Sequence, residues 1–150
     1  MKSFLAAGAC ALTLAFATSA SAKQWVDYAP QKGLWEVTSV KVDPNKIDDY
    51  LTGLKSSWVP GEEIAKKHGV IDMYEVMVKV NAADGLANVL LCQHYTSFAT
   101  FDPDKKRDQT MDKEAEAMMS KDKSDAMVAG FDKYRTFVGD DLYVPVDFSK

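Results

Sequence analysis

Residues 71–98, IDMYEVMVKVNAADGLANVLLCQHYTSF, hold two alternating apolar runs on either side of Asp84-Gly85. That dipeptide between alternating runs is the strongest short-range hairpin signal, because a type I′ turn needs two residues with positive φ. A two-residue turn pairs Ala83 with Leu86 and fixes the rest of the ladder. One face then carries Tyr74, Val76, Val78 and Val80 opposite Tyr95, Gln93, Leu91 and Val89. The other carries Ile71, Met73, Glu75, Met77 and Lys79 opposite Phe98, Thr96, His94, Cys92 and Leu90. The valine-rich face suits packing under helices, and the mixed face suits the open side. A one-residue bulge would exchange the two.

Working outward, residues 33–42 (GLWEVTSVKV) are β-branched and aromatic and read as the first strand. Asp43-Pro44 stops it and caps a helix, with Asp43 at the N-cap and Pro44 at the first helical position. Ile47, Tyr50, Leu51, Leu54 and Trp58 recur at helical spacing. Pro60-Gly61 interrupts this stripe, and a shorter helical piece follows to His68, where a cation complements the helix dipole and Gly69 forms a left-handed cap. The hairpin supplies strands two (71–82) and three (86–98). Asp102-Pro103 opens a second helical segment with two stripes, Met111, Ala115, Met118 and Met119, then Met127, Phe131, Tyr134 and Val138, broken near residues 121–124. Gly139 ends it, and residues 142–148 (LYVPVDF) form strand four, placed at an edge by Pro145.

The order is β-α-β-β-α-β, an α+β chain of ferredoxin-like type. Short connections and right-handed crossovers give an antiparallel sheet of order 4-1-3-2 with helices on one face.

Residues 1–22, MKSFLAAGACALTLAFATSASA, have the form of a secretory signal peptide. Lys2 precedes a short apolar run, and Ala20-Ser21-Ala22 is a small-residue cleavage site before Lys23. The run falls short of the roughly 20 residues that span a bilayer. The expectation is export to the periplasm, cleavage after Ala22, and a single mature domain over residues 23–150. Removing the leader takes the formal charge from −4 to −5, which argues against nucleic acid or an anionic membrane as partner of the mature form. Cys10 leaves with the leader, so Cys92 is the one cysteine of the mature chain and no internal disulfide is available.

Chemistry-bearing residues concentrate on the open face. The two-residue turn sets Glu75 against His94, a carboxylate that would orient an imidazole as a general acid or base; a plain cross-strand polar pair is the competing account. Met77 and Cys92 share that face, Tyr95 belongs to the other, and Trp58 lies on the apolar stripe of the first helical segment. Met73, Met77, Cys92 and His94 offer soft donors for Cu(I), but no compact ligand motif occurs, so neither metal nor cofactor is expected. Cys92 and His94 point the same way about 7 Å apart, too far for direct proton transfer. No glycine-rich phosphate loop or serine nucleophile elbow is present.

The Pro-capped first helix, the Trp58-Val59-Pro60-Gly61 break and the strand pair IDMYEVMVKV / NVLLCQHYTSF together resemble the dimeric α/β-barrel superfamily over residues 33–148. The resemblance implies a homodimer whose open sheet faces close a barrel around a small ligand. Such a partner also meets a physical need, since the open face is too apolar to suit water. That superfamily includes cofactor-free monooxygenases of aromatic substrates, haem-degrading enzymes, isomerases and proteins without assigned activity. The haem-degrading type uses a histidine on the second helical segment, and residues 102–138 contain none. No catalytic residue is carried over, because fold does not establish function.

The reading that results is an exported homodimer binding a small apolar or aromatic molecule, oriented by Glu75 and His94 with Met77, Cys92, Tyr95 and Trp58 in support. The alternatives are a cofactor-free monooxygenase or isomerase with His94 as base, and a non-catalytic assembly module.

Overall fold

The computed structural model describes residues 21–81 and 85–148. Along the chain run β1 (Ala29–Pro30), β2 (Leu34–Val42), α1 (Ile47–Ser56), α2 (Trp58–Lys67), β3 (Met73–Val78), β4 (Val89–Tyr95), α3 (Lys105–Met118), α4 (Lys121–Phe131), β5 (Arg135–Tyr143) and β6 (Val146–Asp147). The signal-peptide assignment lies almost wholly outside the described residues.

Leu34, Val40 and Val42 share one parity along β2 and are fully buried, which turns that face of the strand toward the helices. β2 pairs antiparallel with β4 and β5, and β3 flanks β4, giving the order β3-β4-β2-β5. This is the ferredoxin-like arrangement expected from the sequence, with the helices on one side. Val40, Val42, Val89 and Leu91 of the sheet pack against Tyr50 and Leu54 of α1 and Phe131 of α4. A smaller cluster joins Leu34, Ile71 and Tyr95, with Ala65 of α2 against it.

The helix ends follow local chemistry. Asp43 accepts a hydrogen bond from the Asn45 amide at 2.9 Å, and a 3-10 turn beginning at Pro44 leads into α1. The break falls at Ser57 rather than at Pro60-Gly61. Pro60 stands third in α2, where an amide hydrogen would lack an intrahelical acceptor in any case. α2 closes on His68 and on Gly69 at φ +71°, as its sequence indicates. α3 starts behind Asp104, whose carboxylate takes the Lys106 and Arg107 amides at 3.0 Å each, two residues beyond the expected Asp102 cap. The break before α4 comes at Met119–Ser120, ahead of the expected 121–124.

The last strand departs most from expectation. The helical spacing of Met127, Phe131, Tyr134 and Val138 is half coincidence: α4 ends at Phe131 and β5 begins at Arg135. Thr136, Phe137 and Val138 are strand formers, and β5 keeps its ladder by bulging. Ser39 pairs with Gly139 and Val40 with Phe137, leaving Val138 as the extra residue. β5 is an edge strand, as expected of strand four, but Pro145 lies beyond it, in the link to β6, which forms a short ribbon with β1.

The hairpin also corrects the register. Glu75 stands opposite Cys92, and His94 opposite Met73. The ladder is displaced by two residues from a two-residue turn, and an even displacement leaves every side chain on its assigned face. Asn88 anchors the far end of the connection to β2. Its buried amide side chain accepts from the Val42 N–H and donates to the Val42 carbonyl, both at 2.8 Å, while its backbone N–H reaches the Val40 carbonyl at 3.0 Å. Its own carbonyl accepts from the Lys79 N–H at 2.8 Å, so Asn88 ties β2 to the residue just past β3. Part of the expected turn, Asp84, lies outside the described residues. Ile71 and Phe98, assigned to the open face, lie outside the strands: Ile71 is buried under α2 and Phe98 opens a 3-10 turn.

Asn88→Ala removes both side-chain bonds and strands a buried N–H and C=O of Val42. Unfolding in urea is expected to show a loss of about 2–4 kcal/mol, whereas a loss below half a kcal/mol would mean that the amide does not hold the connection.

Candidate functional site

The face of the sheet away from the helices is built from cross-strand rows. Met73, His94, Trp35 and Tyr143 form the first; Glu75, Cys92, Val37 and Asp141 the second; Met77, Leu90, Ser39 and Gly139 the third. Between them lies an open hollow of about 350 Å³ lined by Trp35, Val37, Met77, Leu90, Cys92 and Tyr143. Two of the expected site residues, Met77 and Cys92, stand in this hollow. The hairpin alternation also put Leu90 on this face, whereas Trp35, Val37 and Tyr143 were not singled out from sequence. Their signal was present, because burying Leu34 and Val40 fixes the parity of β2 and turns Trp35 and Val37 outward.

Glu75 and His94 share this face without meeting. The imidazole Nδ1 lies 2.6 Å from Asp72 Oδ1, so Asp72 rather than Glu75 is its carboxylate partner. The ring tilts against Trp35 with centroids 5.0 Å apart. Its other edge closes on Gly33: a Cβ there would come within 2.7 Å of Nε2 and 2.6 Å of the Tyr95 carbonyl. Gly33 also holds φ at +85°, so glycine is required both by conformation and by space. His94 is thus held beside the hollow, and its ring does not line it. Cys92 is buried, and burial, reinforced by the Glu75 charge, raises its thiol pKa. Such a thiol is a packing group and not an activated nucleophile. Among the described residues, no group of three or more His, Cys, Asp and Glu side chains is placed to hold a metal ion.

Tyr95 and Trp58 lie on the helix side. Tyr95 donates to Glu36 Oε2 at 2.6 Å, and Gln93 donates from Nε2 to Glu62 Oε2 of α2 at 2.6 Å. One residue along, Glu63 accepts from the Tyr74 hydroxyl at 2.5 Å, and Trp58 meets the Tyr74 ring edge-on at 5.6 Å. Consecutive glutamates on α2 thus fasten the helix to two adjacent strands. Burial pushes the Glu62 carboxyl above its usual range; the Gln93 hydrogen bond opposes the rise and the nearby Glu36 charge adds to it. Burial, then the hydrogen bond to Glu36, raises Tyr95 as well. The network holds protons, and its donors and acceptors are turned on one another.

No family model matches the sequence, and no curated protein matches it. Among solved structures, the crystal structure of a NIPSNAP family protein of unknown function from Agrobacterium tumefaciens aligns with 13% identity and a TM-score of 0.46, covering 79% of this chain and 92% of that one.

Glu62 binds its proton more tightly in the fold than in the unfolded chain, so the native state holds more protons above the ordinary carboxylate pKa and loses stability as pH rises through that window. Glu62→Gln, which can still accept from Gln93, is expected to raise the melting temperature at pH 7. The gain should shrink toward zero below about pH 4; a variant that melts lower at pH 7 would overturn the assignment.

Proposed function

We propose that the protein is an exported homodimer in which two open sheet faces close on each other and hold a small, largely apolar molecule between them. The observation that carries this reading is the hollow of Trp35, Val37, Met77, Leu90, Cys92 and Tyr143 on a face that no element among the described residues covers. Met73, Met77, Val138 and Tyr143 are each 40–53% exposed there, a contiguous apolar surface of the kind that marks an interaction site.

A second copy is the occupant favoured by size and by charge. Four strands at ~4.8 Å and about seven residues at ~3.3 Å give roughly 450 Å² in plan. Side-chain relief brings this toward the ~800 Å² per partner of a standard interface. Lys41 and Lys79 lie at one end of the face, and Asp72, Glu75 and Asp141 lie toward the other. A two-fold axis in the interface and perpendicular to the strands brings the lysines of each copy toward the acids of the other, the self-complementarity that an isologous dimer needs. Two facing hollows then fall within the ~300–1,000 Å³ range of small-molecule sites. With His94 engaged by Asp72 and turned to Gly33, the geometry supports binding ahead of catalysis.

Analytical ultracentrifugation is expected to give twice the chain mass at micromolar concentration. Val37→Glu puts a second carboxylate directly across from Asp141 at the centre of the interface, an unpaired buried charge that costs about 3 kcal/mol or more and so weakens dimerisation about 100-fold. A native protein that stays monomeric at every concentration, or a variant that dimerises unchanged, overturns the reading.

A further inference from the structure

A second cavity lies on the opposite side of the sheet. Where α1, α2 and α4 come down on β2, β4 and β5 they leave a cleft of about 380 Å³. Its walls are apolar, with Trp58 on one side, Val128 on the other and Leu91 on the floor. Arg135 lines the same cleft although its side chain is only 8% exposed.

A buried guanidinium needs partners, and this one is under-supplied. Its carbon sits 4.9 Å from the Phe131 ring centroid, 4.7 Å from Phe137 and 5.8 Å from Tyr50, which holds the fork by cation–π contact. Nε donates to Asp132 at 3.3 Å, a long bond to a well-exposed carboxylate, and Nη1 reaches the Tyr50 hydroxyl at 3.5 Å, the limit of a hydrogen bond. Nη2 makes no hydrogen bond among the described residues. Arginine carries five N–H donors in a planar fork matched to a carboxylate. The hydroxyl-bearing residues Thr38, Ser57 and Ser124 line the same space, the first donating to Asp140 and the second to the Gly53 carbonyl.

We infer that this cleft binds a small aromatic monocarboxylate, its carboxylate on the Arg135 fork and its ring between Trp58, Leu91 and Val128. The exposed Asp132 carboxylate, 3.3 Å from Nε, already takes part of the guanidinium's charge, so one further anionic charge is the most the fork can bear, which favours a monocarboxylate over a phosphate dianion. The apolar walls select the ring. This goes beyond the dimer reading and does not depend on it, because the cleft and the open hollow lie on opposite faces of the sheet.

Calorimetric titration of the full chain with 2-naphthoate and with neutral 2-naphthalenemethanol tests the assignment. The acid is expected to bind more than tenfold more tightly than the alcohol. Arg135→Gln should abolish that difference. Val128→Trp, placed on partly exposed helix surface away from the guanidinium, should fill the cleft and weaken the acid at least tenfold. If Arg135→Gln does not fold, the native comparison and Val128→Trp decide. Equal affinity for the two probes, no binding of the acid, or undiminished binding in Val128→Trp each overturns the inference. The Val37→Glu variant keeps this site, so naphthoate binding that survives there while dimerisation is lost separates failure of one reading from failure of the other.

Discussion

An antiparallel sheet has two faces, and the four α-helices among the described residues cover one of them. That constraint shapes the whole molecule. Leu34, Val40, Val42, Val89 and Leu91 commit one parity of β2 and β4 to the helices, and the opposite parity is left with Trp35, Val37, Leu90 and Cys92. A sheet with a solvated side ordinarily alternates apolar with polar residues. Here the uncovered parity is itself largely apolar, with charges confined to its fringes. The composition of the second face therefore asks for an additional layer that the described residues do not supply.

Much of the architecture was legible in the sequence because periodicity is a local signal. The strand at residues 33–42, the Asp43-Pro44 start, the helical stripe from Ile47 and the alternation of the hairpin all appear in the structure, and from them the strand order. What failed were judgements that needed a long-range competitor. The stripe through Met127, Phe131, Tyr134 and Val138 mimicked a helix, but pairing of Arg135–Tyr143 with β2 took the second half of it. The turn at Asp84-Gly85 suggested the tightest register, and the observed ladder runs two residues away from it, with Asn88 bonded both to Val42, 46 residues away in sequence, and to Lys79.

The same distinction runs through the candidate site. Parity put Met77 and Cys92 on the open face and Tyr95 on the other, as observed. The pairing of Glu75 with His94 rested on register, and Asp72, sitting just outside β3, took the imidazole instead. The Gln93–Glu62 bond was illegible beforehand, since it depends on how α2 is seated over the sheet, and the Glu36–Tyr95 bond because it depends on the β2–β4 register. Arg135 did leave a trace, a lone cation between Tyr134 and Phe137, and only the helix layer shows how deeply that cation is enclosed.

The short ribbon of β1 with β6 carries a topological corollary. Ala29 pairs with Asp147 and Pro30 with Val146, so the two extremities of the described domain emerge side by side. Splicing them through a brief linker and reopening the polypeptide at Ser120, in the exposed joint between α3 and α4, would preserve all four strands of the sheet. Cargo grafted on either extremity would leave from one shared corner of the molecule.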